Sequence, residues 1–235
     1  MEKSDLSHHI LSRYNEELER VRTSVLQMGG FVEEQLKQAV LALVNGDSRL
    51  GEQVARGDQK VNAMEVAIDD DCSRILATRS PAASDLRLIV AVIKTITDLE
   101  RIGDEAEKIG YIGSRLAAVE RPADRYREIK HLGRLVGDMV HEALDAFVDQ
   151  NVDVARDVCR RDDEVDEYNR RVIDDLLEIM RSKPEQVEAA LHFFSVCRHV
   201  ERIGDCATNI AEDVIYLVEG EIARHHFDHL NPAAQ

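Results

Sequence analysis

Apolar residues recur along this 235-residue chain at intervals of three and four almost from end to end. That spacing puts them on one face of an α-helix. Short polar or proline-containing stretches interrupt the period at Asn45 to Asp47, Ser80-Pro81, Arg121 to Asp124, Asp149 to Asp153 and Ser182 to Pro184. Pro81 suits an early helix position, where a missing N–H leaves no internal bond unmade, and Pro184 correspondingly precedes the sixth helix. Five breaks predict six helices, over 8–45, 47–79, 82–119, 123–149, 152–182 and 185–223. Gly29-Gly30 marks a point where the first helix can kink. Connections this short favour antiparallel neighbours. The expected fold is therefore all-α: two tandem three-helix bundles over residues 1–120 and 121–224, then a loose tail over 225–235.

The halves repeat one another. The pentapeptide ERIGD occurs as Glu100 to Asp104 and again as Glu201 to Asp205, mid-way along the third helix of each half. In the preceding helices Gly57 to Asn62 (GDQKVN) resembles Arg161 to Asp166 (RDDEVD). A period of about 100 residues exceeds the roughly 20–50 residues of a solenoid unit. It reads as an internal duplication of one bundle.

At about 100° per residue, Leu88, Val92, Leu99, Ile102, Ala106 and Gly110 share an apolar sector that forms the seam of the first bundle. Val196, Val200, Ala207 and Val214 do the same in the second. Glu100 and Asp104 fall outside that sector and stack one turn apart, with Gly103 beside them and Glu107 a turn further on. Glu201 and Asp205 repeat the pair, with Gly204 alongside and Glu212 beyond. Gly in this position leaves room for another group to approach. The helices before them carry polar stripes: Asp58, Asn62, Glu65 and Asp69 in the first half, Asp162, Asp166 and Asn169 in the second. Carboxylates at i,i+4 repel on a bare helix. If two such stripes face each other, each bundle presents a cluster of oxygen ligands. Divalent or trivalent metal ions suit such a cluster: Mg, Ca, Mn, Fe or Zn.

Composition narrows the function. Acids outnumber bases 46 to 30, for a net charge of −16. That surface repels phosphate backbones, so no nucleic-acid partner is expected. The longest apolar run, Leu86 to Ile96, contains Arg87 and Lys94 and falls short of the roughly 20 residues of a bilayer span. No membrane insertion is expected. The first ten residues hold no apolar signal-peptide core, which predicts a cytoplasmic protein. Cys72, Cys159, Cys197 and Cys206 form no CxxC pair and read as packed thiols. No Gly-rich phosphate loop is present, so ATP hydrolysis is not expected.

The twin ERIGD helices, together with Pro81 to Leu88 (PAASDLRL) and Met28 to Leu36 (MGGFVEEQL), resemble the PhoU family over about residues 6–224. The resemblance implies a non-catalytic, metal-binding regulator of phosphate homeostasis, assembled as a homodimer. It implies negative regulation of phosphate-starvation signalling, with the ATPase subunit of the phosphate ABC transporter and a membrane sensor histidine kinase as partners. Such a protein is cytoplasmic and peripherally associated with inner-membrane complexes. The family's acidic motif falls on Glu100, Asp104, Glu201 and Asp205, and in the preceding helices on Asp162, Asp166 and Asp58. Asn62 stands where the first half should carry an acid, so the second bundle is expected to bind metal more tightly. Cys206 stands where family members often carry His.

Two other readings compete. A ferritin-like metal-dependent enzyme needs two inward Glu-x-x-His pairs. This chain offers one such spacing, Glu128 to His131, far from ERIGD. A structural helical adaptor explains the helices but not the duplicated acids. His225, His226 and His229 fall in the tail.

Overall fold

The computed structural model describes residues 2–116 and 123–220, with side chains from residue 12 in the first segment and residue 126 in the second. Six helices stand where the apolar period runs: α1 (Glu2–Asn45), α2 (Ser48–Arg79), α3 (Ala83–Leu116), α4 (Ala123–Asp149), α5 (Val152–Ser182) and α6 (Val187–Glu219). A single 3-10 turn, Pro184–Gln186, leads into α6. Among the described residues there is no strand. The tail histidines lie outside the described residues.

Local chemistry places the ends. Asp47 caps α2 by accepting from the Leu50 N–H, and Asn151 caps α5 by accepting from Asp153 and Val154 N–H. These side-chain oxygens satisfy donors that a helix start leaves without partners. Gly220 closes α6 at φ 76, a left-handed conformation that glycine adopts at little cost, and its N–H donates to Tyr216 O.

Helices α1, α2 and α3 pack on one another, and so do α4, α5 and α6. The two bundles join along α3 against α6 and α1 against α4. Every predicted seam residue of α3 and α6 is buried. Gly29 does not interrupt α1. A Cβ there would come within 2.7 Å of Leu144 Cδ1, so the glycine serves the close approach of α4.

The α3–α6 joint is partly polar, which the sequence did not reveal. Lys94 donates to Asp213 at 2.9 Å, and Asn209 donates to Asp98 at 3.3 Å. Glu105 is buried against His199, Arg202 and Lys108. Burial alone would raise the Glu105 carboxyl, but hydrogen bonds from His199 and Lys108 overcome it and hold the group below its ordinary value. Asp98 and Glu105 sit on the face of α3 opposite the predicted metal stripe. Beside the local Arg101 and Lys108, their partners Asn209, His199 and Arg202 come from the other half, which no pattern within α3 announces. No helix among the described residues is long and apolar enough to cross a membrane.

Candidate cation sites on the two bundles

In the first bundle α2 lies against α3 so that the two polar stripes meet. Asp58 from α2 and Asp104 and Glu107 from α3 each offer a carboxylate oxygen, and all three oxygens lie within 4.8 Å of one another. Among the described residues this is the one group of three potential ligands so close. Asn62 donates to Asp58 Oδ2 at 2.9 Å. That bond turns the Asp58 carboxylate and leaves two oxygens, Asp58 Oδ1 and Asn62 Oδ1, buried with no hydrogen-bond partner. Buried oxygens without donors cost free energy unless something electropositive meets them.

The charges strain against each other. Burial, with Asp104 close by, pushes the Asp58 carboxyl up despite the Asn62 hydrogen bond. Burial raises Glu107 as well, with Asp58 and Asp104 adding to it. Glu100 is raised by burial and then by Asp104, Glu65 and Asp58. Lys108 stands at the edge, 3.9 Å from Asp104, but it is engaged more closely with Glu105 at 3.0 Å.

The second bundle repeats the frame with different detail. Asp162 and Asp166 on α5 face Asp205 on α6. Burial pushes Asp162 up to about 6, with Asp166 and Asp205 adding repulsion. Asp205 is raised by burial, then by Glu201 and Asp166, with Arg198 and Arg202 opposing. Glu201 already has partners: Arg198 donates to it at 2.7 Å and Asn169 at 3.1 Å. The position of Arg198 corresponds to Thr97 in the first repeat, so Glu100 meets no such cation. Asn169 corresponds to Glu65, and Thr208 to Glu107. The first half thus regains at positions 65 and 107 the acids it lacks at 62. Sequence reasoning noticed Glu107 but did not place it in the ligand set. Its signal was the i,i+3 step from Asp104, which keeps it on the same face.

The glycines of ERIGD differ in use. A Cβ on Gly103 would come within 3.1 Å of Val61 Cγ1, so what approaches this glycine is α2 itself, not a ligand. A Cβ on Gly204 would sit 3.7 Å from Val136 and Val165, in ordinary contact. The four cysteines are buried, and burial pushes each thiol up to about 12. None supplies a thiolate near neutral pH.

The raised acid gives a pH dependence. Asp162 holds its proton more tightly folded than unfolded, because its carboxyl rises from 3.8 to about 6 on folding. It therefore favours the folded state fully below pH 3.8, and that contribution is lost as pH rises through about 6. In metal-free buffer, Asp162→Asn should flatten the fall in melting temperature across that window. It should also leave the variant more stable than wild type at neutral pH. Melts over a pH series in chelator test this, and parallel curves for the two proteins would refute it.

The chain is similar to known proteins along most of its length. The PhoU domain matches twice, over residues 25–112 and 129–214. A Pseudomonas aeruginosa protein described as a phosphate-specific transport system accessory protein PhoU homolog is 46% identical over 223 residues, covering 95% of this chain and 92% of that protein. The Escherichia coli (strain K12) phosphate-specific transport system accessory protein PhoU is 41% identical over 229 residues, 96% of this chain and 93% of that one. The crystal structure of PhoU from Pseudomonas aeruginosa superposes with a TM-score of 0.86 at 46% identity, covering 88% of this chain and all of that one. That of the phosphate transport system regulatory protein PhoU from Streptococcus pneumoniae gives 0.83 at 27% identity, covering 89% and 98%.

Proposed function

This chain belongs to the PhoU family, and on that premise we propose that it is a non-catalytic, metal-binding negative regulator of phosphate-starvation signalling. The observation that carries the reading is likeness over 95% of the chain to an accessory protein of the phosphate-specific transport system, with both acidic repeats present. In this reading the protein works beside the ATPase subunit of the phosphate ABC transporter, at the inner face of the membrane. It passes the state of the transporter to a sensor histidine kinase, and it does so as a homodimer.

The acid clusters fit a metal ion by their chemistry. In the first bundle hard oxygen donors converge, the Asp58 carboxyl is raised by burial and then by repulsion from Asp104, and buried oxygens stand without donors. Asp58, Asp104 and Glu107 would hold the ion in the first half, with Glu100 and Glu65 adding negative charge. Asp162, Asp166, Asp205 and Glu201 would hold one in the second, where Arg198 competes for Glu201. A bound cation turns mutual repulsion into attraction and fastens α2 to α3, or α5 to α6.

Deletion of this protein in its native host should switch on a phosphate-starvation reporter in phosphate-rich medium, by tenfold or more, and the wild-type chain supplied in trans should restore silence. A reporter that stays silent in the deletion strain would overturn the regulatory reading.

A further inference from the structure

A groove of about 570 Å³ runs between α1 and α4, away from both acid clusters. Leu36, Val40 and Leu41 of α1 line it on one side, and Gly133 and Gly137 of α4 lie on the other. A Cβ built on Gly137 meets nothing within 4 Å, so the groove is open at that point. His141 and Glu33, paired at 3.0 Å, close one end.

The rim is basic in a chain of net charge −16. Arg127, Lys130 and Arg134 follow one another on α4 at steps of three and four, so they form one edge. All three are exposed, and among the described residues none makes an ion pair. Lys37 faces them from α1, held only loosely by Glu34 at 3.8 Å. Asp138 is the remaining acid on the lining. Acids outnumber bases 46 to 30 overall, and most described cations elsewhere have carboxylate partners. A run of unpaired cations beside an apolar floor is thus a local reversal of the whole surface.

We propose that this groove is the docking site for an acidic amphipathic helix of a partner protein. Its apolar floor between two helices takes the apolar stripe of a third. The cations from Arg127 to Arg134 span about 10 Å, roughly two turns, at the height where the flanks of that helix would carry Glu or Asp. Charge complementarity selects the occupant, because the cationic rim attracts acidic flanks and repels basic ones over the same apolar floor. A phosphate backbone is repelled by the rest of the chain. The site goes beyond the regulatory reading and uses none of the metal residues.

The test uses the whole chain and a fluorescein-labelled peptide of about 18 residues. Leu is placed at helical a/d/e spacing and Glu on both flanks, and a control replaces every Glu by Lys. Anisotropy should show the acidic peptide binding and the basic one at least tenfold weaker. Lys130→Glu with Arg134→Glu should weaken the acidic peptide by tenfold or more. Gly137→Leu should do the same by filling the groove, and it should not harm the fold, since the site is open and leucine favours helix over glycine. Melting curves confirm that both variants are folded. Hydrogen exchange should map the peptide to residues 33–41 and 127–141. Equal binding of both peptides, or binding unchanged in both variants, overturns the proposal. So does sedimentation in which the same variants dissociate a wild-type dimer, which would make a second copy the occupant. Binding of phosphatidylglycerol vesicles or a short oligonucleotide in place of the peptide, with the same dependence on these residues, overturns it too.

Discussion

Gly51→Val should lower the melting temperature by roughly 5–10 °C. The reason is a contact between backbones. At the crossing of α2 and α3, a Cβ on Gly51 would lie 2.5 Å from Gly110 O and 3.3 Å from Ser114 N. A Cβ on Gly110 would in turn lie 3.0 Å from Gly51 O. A side chain that meets the tip of another side chain can push it aside. Here the obstacle is a carbonyl fixed in a helix, so the two helices must separate. Overpacking of this kind costs about 3 kcal/mol. A domain of this size loses about 2–4 °C per kcal/mol. The gain in helix propensity on leaving glycine, under about 1 kcal/mol, does not offset it. Separation at this crossing also draws Asp58 away from Asp104, two turns along. Gly204→Ala is the contrast. Its Cβ would meet ordinary contacts at 3.7 Å, so alanine there should be neutral or slightly stabilising. Equal melting of wild type and Gly51→Val would mean that the crossing is looser than the geometry says.

The helices were legible because burial imposes a period. The breaks at Asn45 to Asp47, Asp149 to Asp153 and Ser182 to Pro184 became connections, and Asp47 and Asn151 became caps. The duplication was legible from ERIGD, since the same string recurs at the same place in the third helix of each half. Two features were not. The first is the polar joint of Asp98, Glu105 and Asp213 with Lys94, His199 and Asn209. It pairs residues some hundred positions apart, and one helix read alone shows those acids as ordinary surface. The second is the balance between the two acid clusters. Counting Asn62 against Asp166 favoured the second bundle. The fold adds Glu107 to the first cluster, whereas in the second Arg198 engages Glu201. Gly103 does leave room for another group to approach, and only the packed pair shows that the group is Val61 of α2.

Metal should therefore stabilise the first bundle more than the second. In metal-free protein Asp58, Asp104 and Glu107 repel one another, and Asp58 Oδ1 and Asn62 Oδ1 are buried without donors. A divalent cation satisfies both conditions in the folded state and finds no such cluster in the unfolded chain. Manganese at about a hundred times its dissociation constant should add about 2.7 kcal/mol by mass action. That corresponds to a rise of roughly 5–10 °C in melting temperature. Asp58→Asn with Glu107→Gln should lose most of that rise. The same variant should melt higher than wild type in chelator, because the repulsion is gone. Asp162→Asn with Asp205→Asn should lose the smaller share. The most direct measurement is calorimetric titration of manganese into metal-free wild type and into Asp58→Asn/Glu107→Gln. The tighter heat should be present in wild type and absent from the variant, with the weaker phase kept. Identical heats and stoichiometry in the two proteins would contradict a metal site at this cluster and leave its acids as a repelling surface.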